Sequence, residues 1–321
     1  MDLRVTIEPQ RGASYEQQLA VAQTAERLGF SAFFRSDHFA RRGPEPQAAL
    51  PGPTDAWVTL GAIARETSTI RLGTLVTSAT FRHPGLLAVT VAQIDAMSGG
   101  RVELGIGSGW EPAEHRYYGI PYPPSQGERF DRFEEQLEII TGLWTTPHDE
   151  RYSFTGTHYV LENSPALPKP VQTPRPNIII GGAGPVRTPR IAARWADEFN
   201  LFGSVEACDE QFARVRAASE KIGRDPSTIV FSAGQAVVCG RDGAELARRA
   251  AAAGLELGTH RGDGVRPDAG NPQLAGTPAQ ILEQIHALEQ VGATRIYLQL
   301  YDATDLEHLE LLAAEVLPHL S

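Results

Sequence analysis

The chain has little cysteine, no long apolar run and no excess of positive charge, and each lack excludes a class of protein. Its 321 residues include only two cysteines, Cys208 and Cys239, which are too few for a disulfide framework and are not spaced as metal ligands. A reducing, cytoplasmic setting is therefore expected, and the N-terminal residues show no secretory leader. No apolar stretch reaches the roughly 18 residues of a membrane helix, so we expect no membrane partner.

The chain is acidic, with a formal net charge of −10 and an isoelectric point of about 5.4. This balance argues against non-specific binding of nucleic acid and of anionic membranes. A few local arginines would still suffice for a small anionic ligand. The composition is globular, with 41% hydrophobic and 21% charged residues. A chain of this length can bury a large core and still line a cavity, so we expect a small-molecule partner.

Strand-like and helix-like patterns alternate along the chain. Eight short β-branched or apolar runs predict strands at 3–8, 32–35, 71–76, 101–106, 178–180, 198–202, 229–238 and 295–300. Helical spacing follows each of them, for example over 15–28, where Gly29 provides a stop. This alternation predicts an α/β protein with a parallel sheet. Eight repeats favour closure into a (β/α)8 TIM barrel over an open doubly wound sheet.

Two interruptions stand out within what we predict to be a single domain over residues 1–321. Residues 151–162 have a hairpin-like pattern, and residues 254–276 form a loop rich in glycine and proline that resembles a lid. Long loops in compact domains usually bind ligands or cover sites. We therefore expect insertion loops at the C-terminal face of the barrel.

In such a barrel the ligand site lies where strands end and helices begin. Asp37 and His38 follow the second strand. An imidazole at the barrel mouth can donate a hydrogen bond or act as a general acid, and the carboxylate can orient a neighbour. Taken alone, the two residues fit an ordinary solvated loop with a helix-capping aspartate about equally well.

Small residues follow the third and fourth strands. Thr77 and Ser78 would let a planar ring approach the backbone, although the same pattern fits an ordinary turn before a helix. Ser108 and Gly109 belong to a run with three alternating glycines, whose backbone N–H groups are open to a ring or an anion. Trp110 would add an apolar wall. The run is not a dinucleotide-binding fingerprint, and alone it also fits a flexible loop.

A glycine-rich turn follows the fifth strand and has the clearest mechanism. Its residues are three glycines and a helix-starting proline, Gly181, Gly182, Gly184 and Pro185. Backbone N–H groups at a helix N-terminus form a cradle for an anion. Arg187 and Arg190 lie in the first turns of that helix, where positive charge opposes the helix dipole. Their position therefore indicates a bound anion.

Together these segments resemble the bacterial luciferase-like superfamily, and within it the branch of oxidoreductases that depend on the deazaflavin coenzyme F420. The resemblance spans nearly the whole chain. It rests on the runs 25–30, 36–39, 80–84, 99–110, 181–184 and 276–278. It implies a TIM-barrel enzyme that moves hydride between coenzyme F420 and a small substrate, and it implies a homodimer.

The resemblance also implies roles for individual residues. His38 would be the catalytic residue, near the reacting face of the ring as an acid or a stabiliser. Thr77 and Ser78 match a bulge that props the ring, where a non-proline cis peptide is common. The residues implied to contact the cofactor are Asp37, Thr77, Ser78, Ser108, Gly109, Gly181, Gly182, Gly184 and Pro185, the last four of them as a phosphate cradle.

One departure concerns the substrate. Sugar-phosphate dehydrogenases of this branch carry a glutamate directly after the glycine-rich run, where this chain has Trp110, with Glu111 one residue later. Sugar-phosphate oxidation is therefore not expected. Trp110 favours an apolar or aromatic substrate, reduced at an unsaturated carbon or imine, with His38 as the source of the proton.

Three alternatives remain open at this point. Flavin mononucleotide (FMN) would fit the same cradle and would make the protein an oxygen-dependent monooxygenase. A barrel of this kind could also bind a cofactor without catalysis. A metal-dependent hydrolase is disfavoured, because the strand ends do not supply clustered histidines and carboxylates, so we predict no metal site.

Overall fold

The structure, a computed structural model, describes residues 1–40, 50–255, 257 and 274–320. In chain order the strands are β1 (Asp2–Ile7), β2 (Ala32–Arg35), β3 (Arg71–Thr74), β4 (Thr77–Ser78), β5 (Val102–Gly107), β6 (Tyr152–Thr155), β7 (Val160–Ser164), β8 (Asn177–Gly181), β9 (Glu198–Phe202), β10 (Val230–Cys239), β11 (Leu274–Gly276) and β12 (Arg295–Leu300). The α-helices are α1 (Tyr15–Leu28), α2 (Ala56–Glu66), α3 (Pro84–Ser98), α4 (Pro112–Tyr118), α5 (Gln126–Thr145), α6 (Arg187–Trp195), α7 (Val205–Lys221), α8 (Gly243–Ala253), α9 (Pro278–Gln290) and α10 (Leu306–Glu315).

The main sheet closes on itself as a parallel barrel. Neighbouring strands pair in the order β1, β2, β3, β5, β8, β9, β10 and β12, and β12 returns to β1. All of these pairings are parallel, and the apolar faces of the strands are buried under the surrounding helices. The predicted (β/α)8 TIM barrel is confirmed, and the open sheet is excluded.

Local sequence signals explain several element ends. Helix α1 begins at a capping box, in which Ser14 and Gln17 exchange hydrogen bonds, and it ends at Gly29, whose φ of 89° is in the left-handed region. Its bounds are those predicted from the apolar spacing. Strands β2, β9 and β12 likewise have the predicted bounds, and the others differ by one or two residues at an end.

The alternation differs from the prediction in three places. The third predicted strand divides into β3 and β4 around the Leu75–Val76 peptide, which is cis. The helices α8 and α9 between β10 and β12 were predicted, but the short strand β11 between them, which pairs with the end of β10, was not. Helix α4 was not predicted, because seven residues are too few to display a helical period.

The two predicted insertions have different outcomes. Strands β6 and β7 form an antiparallel pair at the hairpin predicted over 151–162. Most of the lid-like loop predicted over 254–276 lies outside the described residues. None of the helices within the described ranges combines the length and the apolar character that a membrane crossing requires.

A charge network closes the N-terminal end of the barrel. Arg4 contacts Asp2 at 3.1 Å and Glu103 at 2.5 Å, and Arg71 also pairs with Glu103. Arg295 contacts Asp2 at 2.7 Å and pairs with Glu198. Arg4, Glu103 and Glu198 are buried. We call these six residues, Asp2, Arg4, Arg71, Glu103, Glu198 and Arg295, the basal network.

Candidate functional site

A cavity of about 510 Å³ opens at the C-terminal ends of the barrel strands. Its wall contains nine of the residues that the sequence singled out: His38, Thr77, Ser78, Ser108, Gly109, Trp110, Gly181, Gly182 and Gly184. They come from the ends of β2, β4, β5 and β8, which are far apart in sequence. Asp37 and Pro185 are not in this wall.

Asp37 lies behind the wall and is fully buried. Its carboxylate accepts from the Thr77 hydroxyl at 3.0 Å and forms a two-oxygen contact with the Arg82 guanidinium. Successive residues of an extended segment point to opposite sides, and the wall contains Ser36 and His38 but not Asp37. The geometry therefore gives Asp37 a supporting position, and its direct contact with a cofactor, implied by the resemblance, is not supported.

His38 occupies the wall with one ring nitrogen engaged. Its Nδ1 lies 2.9 Å from Glu114 Oε2, and its ring meets the edge of Trp110 with 5.7 Å between centroids. Burial lowers the pKa of His38, but the hydrogen bond and charge of Glu114 outweigh burial, so the pKa is raised above its ordinary value. A cationic imidazole in a cavity wall can donate a proton.

Leu75 and Val76 form a bulge between β3 and β4, and the Val76 side chain points towards the glycines of β5 and β8. A methyl carbon of Val76 would be 3.1 Å from a Cβ built on Gly107, and its other methyl 3.1 Å from one built on Gly181. A Cβ on Gly105 would be 1.8 Å from the Thr74 carbonyl oxygen, so only glycine fits beneath the bulge. The cis peptide lies at the bulge, as the resemblance implies.

A chain of hydrogen bonds leads from His115 to the cavity. His115 Nδ1 lies 2.8 Å from the Glu111 carbonyl oxygen, which can only accept, so Nδ1 carries a proton. Burial lowers the pKa of His115, and the neutral ring therefore accepts at Nε2 from the Thr80 hydroxyl at 2.7 Å. Thr80 Oγ1 is 2.6 Å from Ser78 Oγ. Ser78 thus donates into the protein and presents lone pairs to the cavity.

The anion-binding prediction for the fifth strand end is only partly matched by the geometry. Arg187 lies 2.7 Å from Asp131 and 2.5 Å from Glu134, and it is not in the cavity wall. These two carboxylates of α5 neutralise the charge of Arg187, so the prediction that Arg187 indicates a bound anion is wrong. Arg129 does line the cavity, and its buried Nε has no hydrogen-bond partner among the described residues.

Sequence reasoning missed three residues of this site, namely Glu114, His115 and Arg129. All three follow β5 on helices rather than at a strand end. For α4 a signal was present: Glu111 caps the helix, Pro112 is its first residue and Gly119 ends it. Arg129 gave no signal, because one arginine on a long amphipathic helix usually lies on a solvated face.

Possible metal ligands were sought in the part of the chain that the structure describes. No group of three or more histidine, cysteine, aspartate or glutamate side chains there is placed to hold a metal ion.

Comparison with known proteins finds a matching family model over most of the chain and curated relatives over a little more than half of it. A family model described as luciferase-like monooxygenase matches residues 3–295. An F420-dependent glucose-6-phosphate dehydrogenase of Nakamurella multipartita is 39% identical over 194 residues, which are 59% of this chain and 52% of that protein. A protein of the same name from Beutenbergia cavernae is 37% identical over 56% of this chain and 51% of its own length. The chain thus spans about half the length of these curated relatives.

Solved structures share the fold over the full chain. The coenzyme F420-dependent tetrahydromethanopterin reductase of Methanopyrus kandleri superposes with a TM-score of 0.79 and 19% identity, covering 100% of this chain and 99% of that one. An F420-dependent secondary alcohol dehydrogenase in complex with an F420–acetone adduct gives a TM-score of 0.81 at 18% identity, with 100% and 99% covered. At such identities the likeness shows the fold alone.

Proposed function

This chain belongs to the luciferase-like monooxygenase family, and on that premise we propose that it is an oxidoreductase dependent on coenzyme F420. The observation that carries the proposal is the cavity at the strand ends, whose wall brings together His38, with its raised pKa, and the glycine-rich ends of β5 and β8. The curated relatives named F420-dependent, at 37–39% identity over part of the chain, support the choice of cofactor.

The residues present fit a ring with a phosphate-bearing tail. Gly107 and Gly181 have no side chains and so leave room for the Val76 side chain between them, and all three residues form an apolar part of the cavity wall. Arg129 has a buried Nε–H without a partner among the described residues, and it lines the same cavity as Gly182 and Gly184. An unpaired guanidinium N–H is a strong site for a phosphate oxygen.

Once bound, the deazaflavin would supply a hydride, and the protein's part is positioning and protonation. Ser78, fixed as an acceptor by the Thr80 and His115 chain, would receive an N–H of the bound ring. His38 would donate a proton to the substrate atom that becomes electron-rich. Asp37 and Arg82 would hold Thr77 and the bulge in place behind the wall.

The proposed substrate is a small, largely apolar molecule reduced at an unsaturated carbon or imine. Trp110 lies where the sugar-phosphate dehydrogenases of the F420 branch carry a glutamate, and Phe81, Phe202 and Tyr301 add ring surface to the same wall. The neighbouring Glu111 also lines the cavity, but one of its oxygens accepts from the Ala113 backbone N–H as the cap of α4, which ties its carboxylate to the start of that helix.

Titration of the protein with coenzyme F420 and, separately, with FMN tests the cofactor. We expect a spectral shift of F420 at micromolar concentrations and at least about tenfold weaker binding of FMN. His38→Ala should lower turnover of a reducible apolar substrate by about 10²–10⁴-fold and leave F420 affinity within about threefold. Binding of FMN alone, or unchanged turnover of His38→Ala, would overturn the assignment. Tight F420 binding without turnover on a broad substrate panel would indicate a non-catalytic carrier.

The proposal extends to a homodimer through α2 and α3. The two helices pack side by side, and Val58 and Leu86 on them are 76% and 70% exposed. A second copy covering this face would remove both from water. Sedimentation velocity should show a dimer for the wild-type protein and a monomer for Leu86→Glu. A monomeric wild-type protein at micromolar concentration would contradict it.

A further inference from the structure

Glu114 is a buried carboxylate that ties the segment after β2 to the segment after β5. It is 1% exposed, although it lies on the short helix α4. One oxygen accepts from the backbone N–H groups of Phe39 at 2.8 Å and Ala40 at 2.9 Å. Both oxygens lie within 3.1 Å of His38 Nδ1. Burial raises the pKa of Glu114, but the hydrogen bond and charge of His38 and the two amides outweigh burial and lower it.

This arrangement fixes the proton on one nitrogen of His38. An ionised carboxylate only accepts hydrogen bonds, so Nδ1 must carry a proton. Nε2 has no hydrogen-bond partner among the described residues, and His38 lines the cavity. A second proton on the ring can therefore sit only on Nε2.

The charges that act most strongly on His38 favour that second proton, although Arg11 and Arg129 line the same cavity. Glu114 on α4, Glu8 after β1 and Asp37 beside it each contribute negative charge. Asp37 is already paired with Arg82, and Glu8 accepts from Gln299 at 2.9 Å. Of these three carboxylates only Glu114 is hydrogen-bonded to the ring, so it has the strongest effect on the charge of His38.

We propose that Glu114 is a positioning residue that holds His38 as an imidazolium and directs its Nε2–H into the cavity. The inference rests on the proposed function in one respect, that His38 is the proton donor to the substrate. Glu114 itself touches neither substrate nor cofactor. Its effect is to extend the pH range over which His38 keeps the proton it donates.

A purely structural role is the competing explanation, because Glu114 also holds the amides of Phe39 and Ala40. Glu114→Gln separates the two roles. The amide oxygen of glutamine can still accept from both backbone N–H groups, while its NH2 group meets His38 Nδ1 as a donor without charge. A structural role would survive this change, and the charge effect would not.

The experiment follows the ¹⁵N and ¹H signals of the His38 ring by NMR across pH, in the cofactor-free protein. In the wild type we expect a charged ring at pH 7 that loses its proton from Nε2 and keeps Nδ1–H. In Glu114→Gln we expect the titration to move to lower pH, with unchanged thermal stability within a few degrees. Glu210→Gln makes the same chemical change in an exposed ion pair with Arg214 and should leave the His38 titration unchanged.

Turnover provides the second readout. A general acid is lost as pH rises through its pKa, so the basic limb of the pH profile should move to lower pH in Glu114→Gln. The ratio of turnover at pH 6 to turnover at pH 8 should rise about tenfold, with F420 affinity within about threefold. Glu114→Asp, which keeps the charge, should restore part of the wild-type profile.

The outcomes separate this inference from the proposed function. A wild-type His38 that is neutral at pH 7, or that carries its proton on Nε2 alone, overturns the role of Glu114 even if Glu114→Gln does not fold. An unshifted titration in a folded Glu114→Gln protein overturns it as well. A shifted titration with full turnover in His38→Ala would instead support the coupling and reject the proposed chemistry of His38.

Discussion

At the N-terminal end of the barrel, the arginines and carboxylates of the basal network pair with one another. At the C-terminal end, ionisable side chains line a cavity, and some of their hydrogen-bonding atoms have no protein partner among the described residues. Arg4 has both Asp2 and Glu103 within hydrogen-bond distance. Arg129 and His38, in contrast, both line the cavity. The Nε atom of Arg129 and the Nε2 atom of His38 have no hydrogen-bond partner among the described residues.

This difference indicates that the charged groups at the N-terminal end stabilise the fold and that those at the C-terminal end are available to a ligand. Three arginines and three carboxylates of the basal network have formal charges that sum to zero. Burial raises the pKa of Glu103, but Arg4 and Arg71 outweigh burial and keep it lowered. Glu198 Oε1 is the one atom of this network that is buried without a hydrogen-bond partner among the described residues, and it does not line the cavity. Parallel barrels place their chemistry at the other end.

The largest expected effect comes from breaking the basal network. Glu103→Gln removes the charge that compensates buried Arg4, and loss of one partner of a buried pair costs about 3 kcal/mol or more. We expect urea denaturation to show this loss in the free energy of unfolding. F420 affinity and the turnover of the remaining folded protein should stay close to wild type.

A control for this change is Glu138→Gln, which removes the carboxylate of an exposed pair with Arg194 at 3.3 Å. It should cost less than about 1 kcal/mol. The contrast between the two ends would fail if both variants were equally stable. It would also fail if Glu103→Gln weakened F420 binding in proportion to its loss of stability.

Much of the fold follows from periodicity, and the reason is local. Helix α1 has both a capping box and a terminating glycine, so its ends are fixed by neighbours in sequence. The division of the third strand at Leu75–Val76 is not local, because it depends on the glycines of β5 and β8 across the sheet. Single-sequence reasoning has no access to that packing.

The candidate site was predicted where strand ends meet and missed where side chains come from helices. His38, Ser78 and Gly109 were placed in one slot because parallel strands end at the same face. The resemblance implied a contact between Asp37 and the cofactor, but alternation along extended backbone turns the Asp37 side chain away from the cavity. Glu114 pairs with His38 across 76 positions of sequence, a contact that only the tertiary fold creates.

A smaller effect on stability is expected from His308, a buried histidine near the C-terminal end of β10 with a strongly lowered pKa. His308 accepts from the Cys239 backbone N–H at 2.9 Å, and burial, with the nearby Arg249 charge, lowers the pKa of His308 to about 4. The unfolded chain then binds the proton more tightly than the folded one. Stability from this residue is present above the ordinary pKa of 6.5 and is lost as pH falls towards 4.

Between pH 7 and pH 5 this linkage should lower the free energy of unfolding by roughly 1–2 kcal/mol. His308→Gln can still accept from the Cys239 N–H through its amide oxygen, and it does not titrate. The difference between the urea midpoints of wild type and His308→Gln should therefore change with pH over this range. Glu103→Gln retains His308 and should show the wild-type slope there. If the urea midpoints of wild type and His308→Gln changed in parallel with pH, His308 would not be the source of the acid sensitivity. The two ends of the barrel would then not differ in this respect.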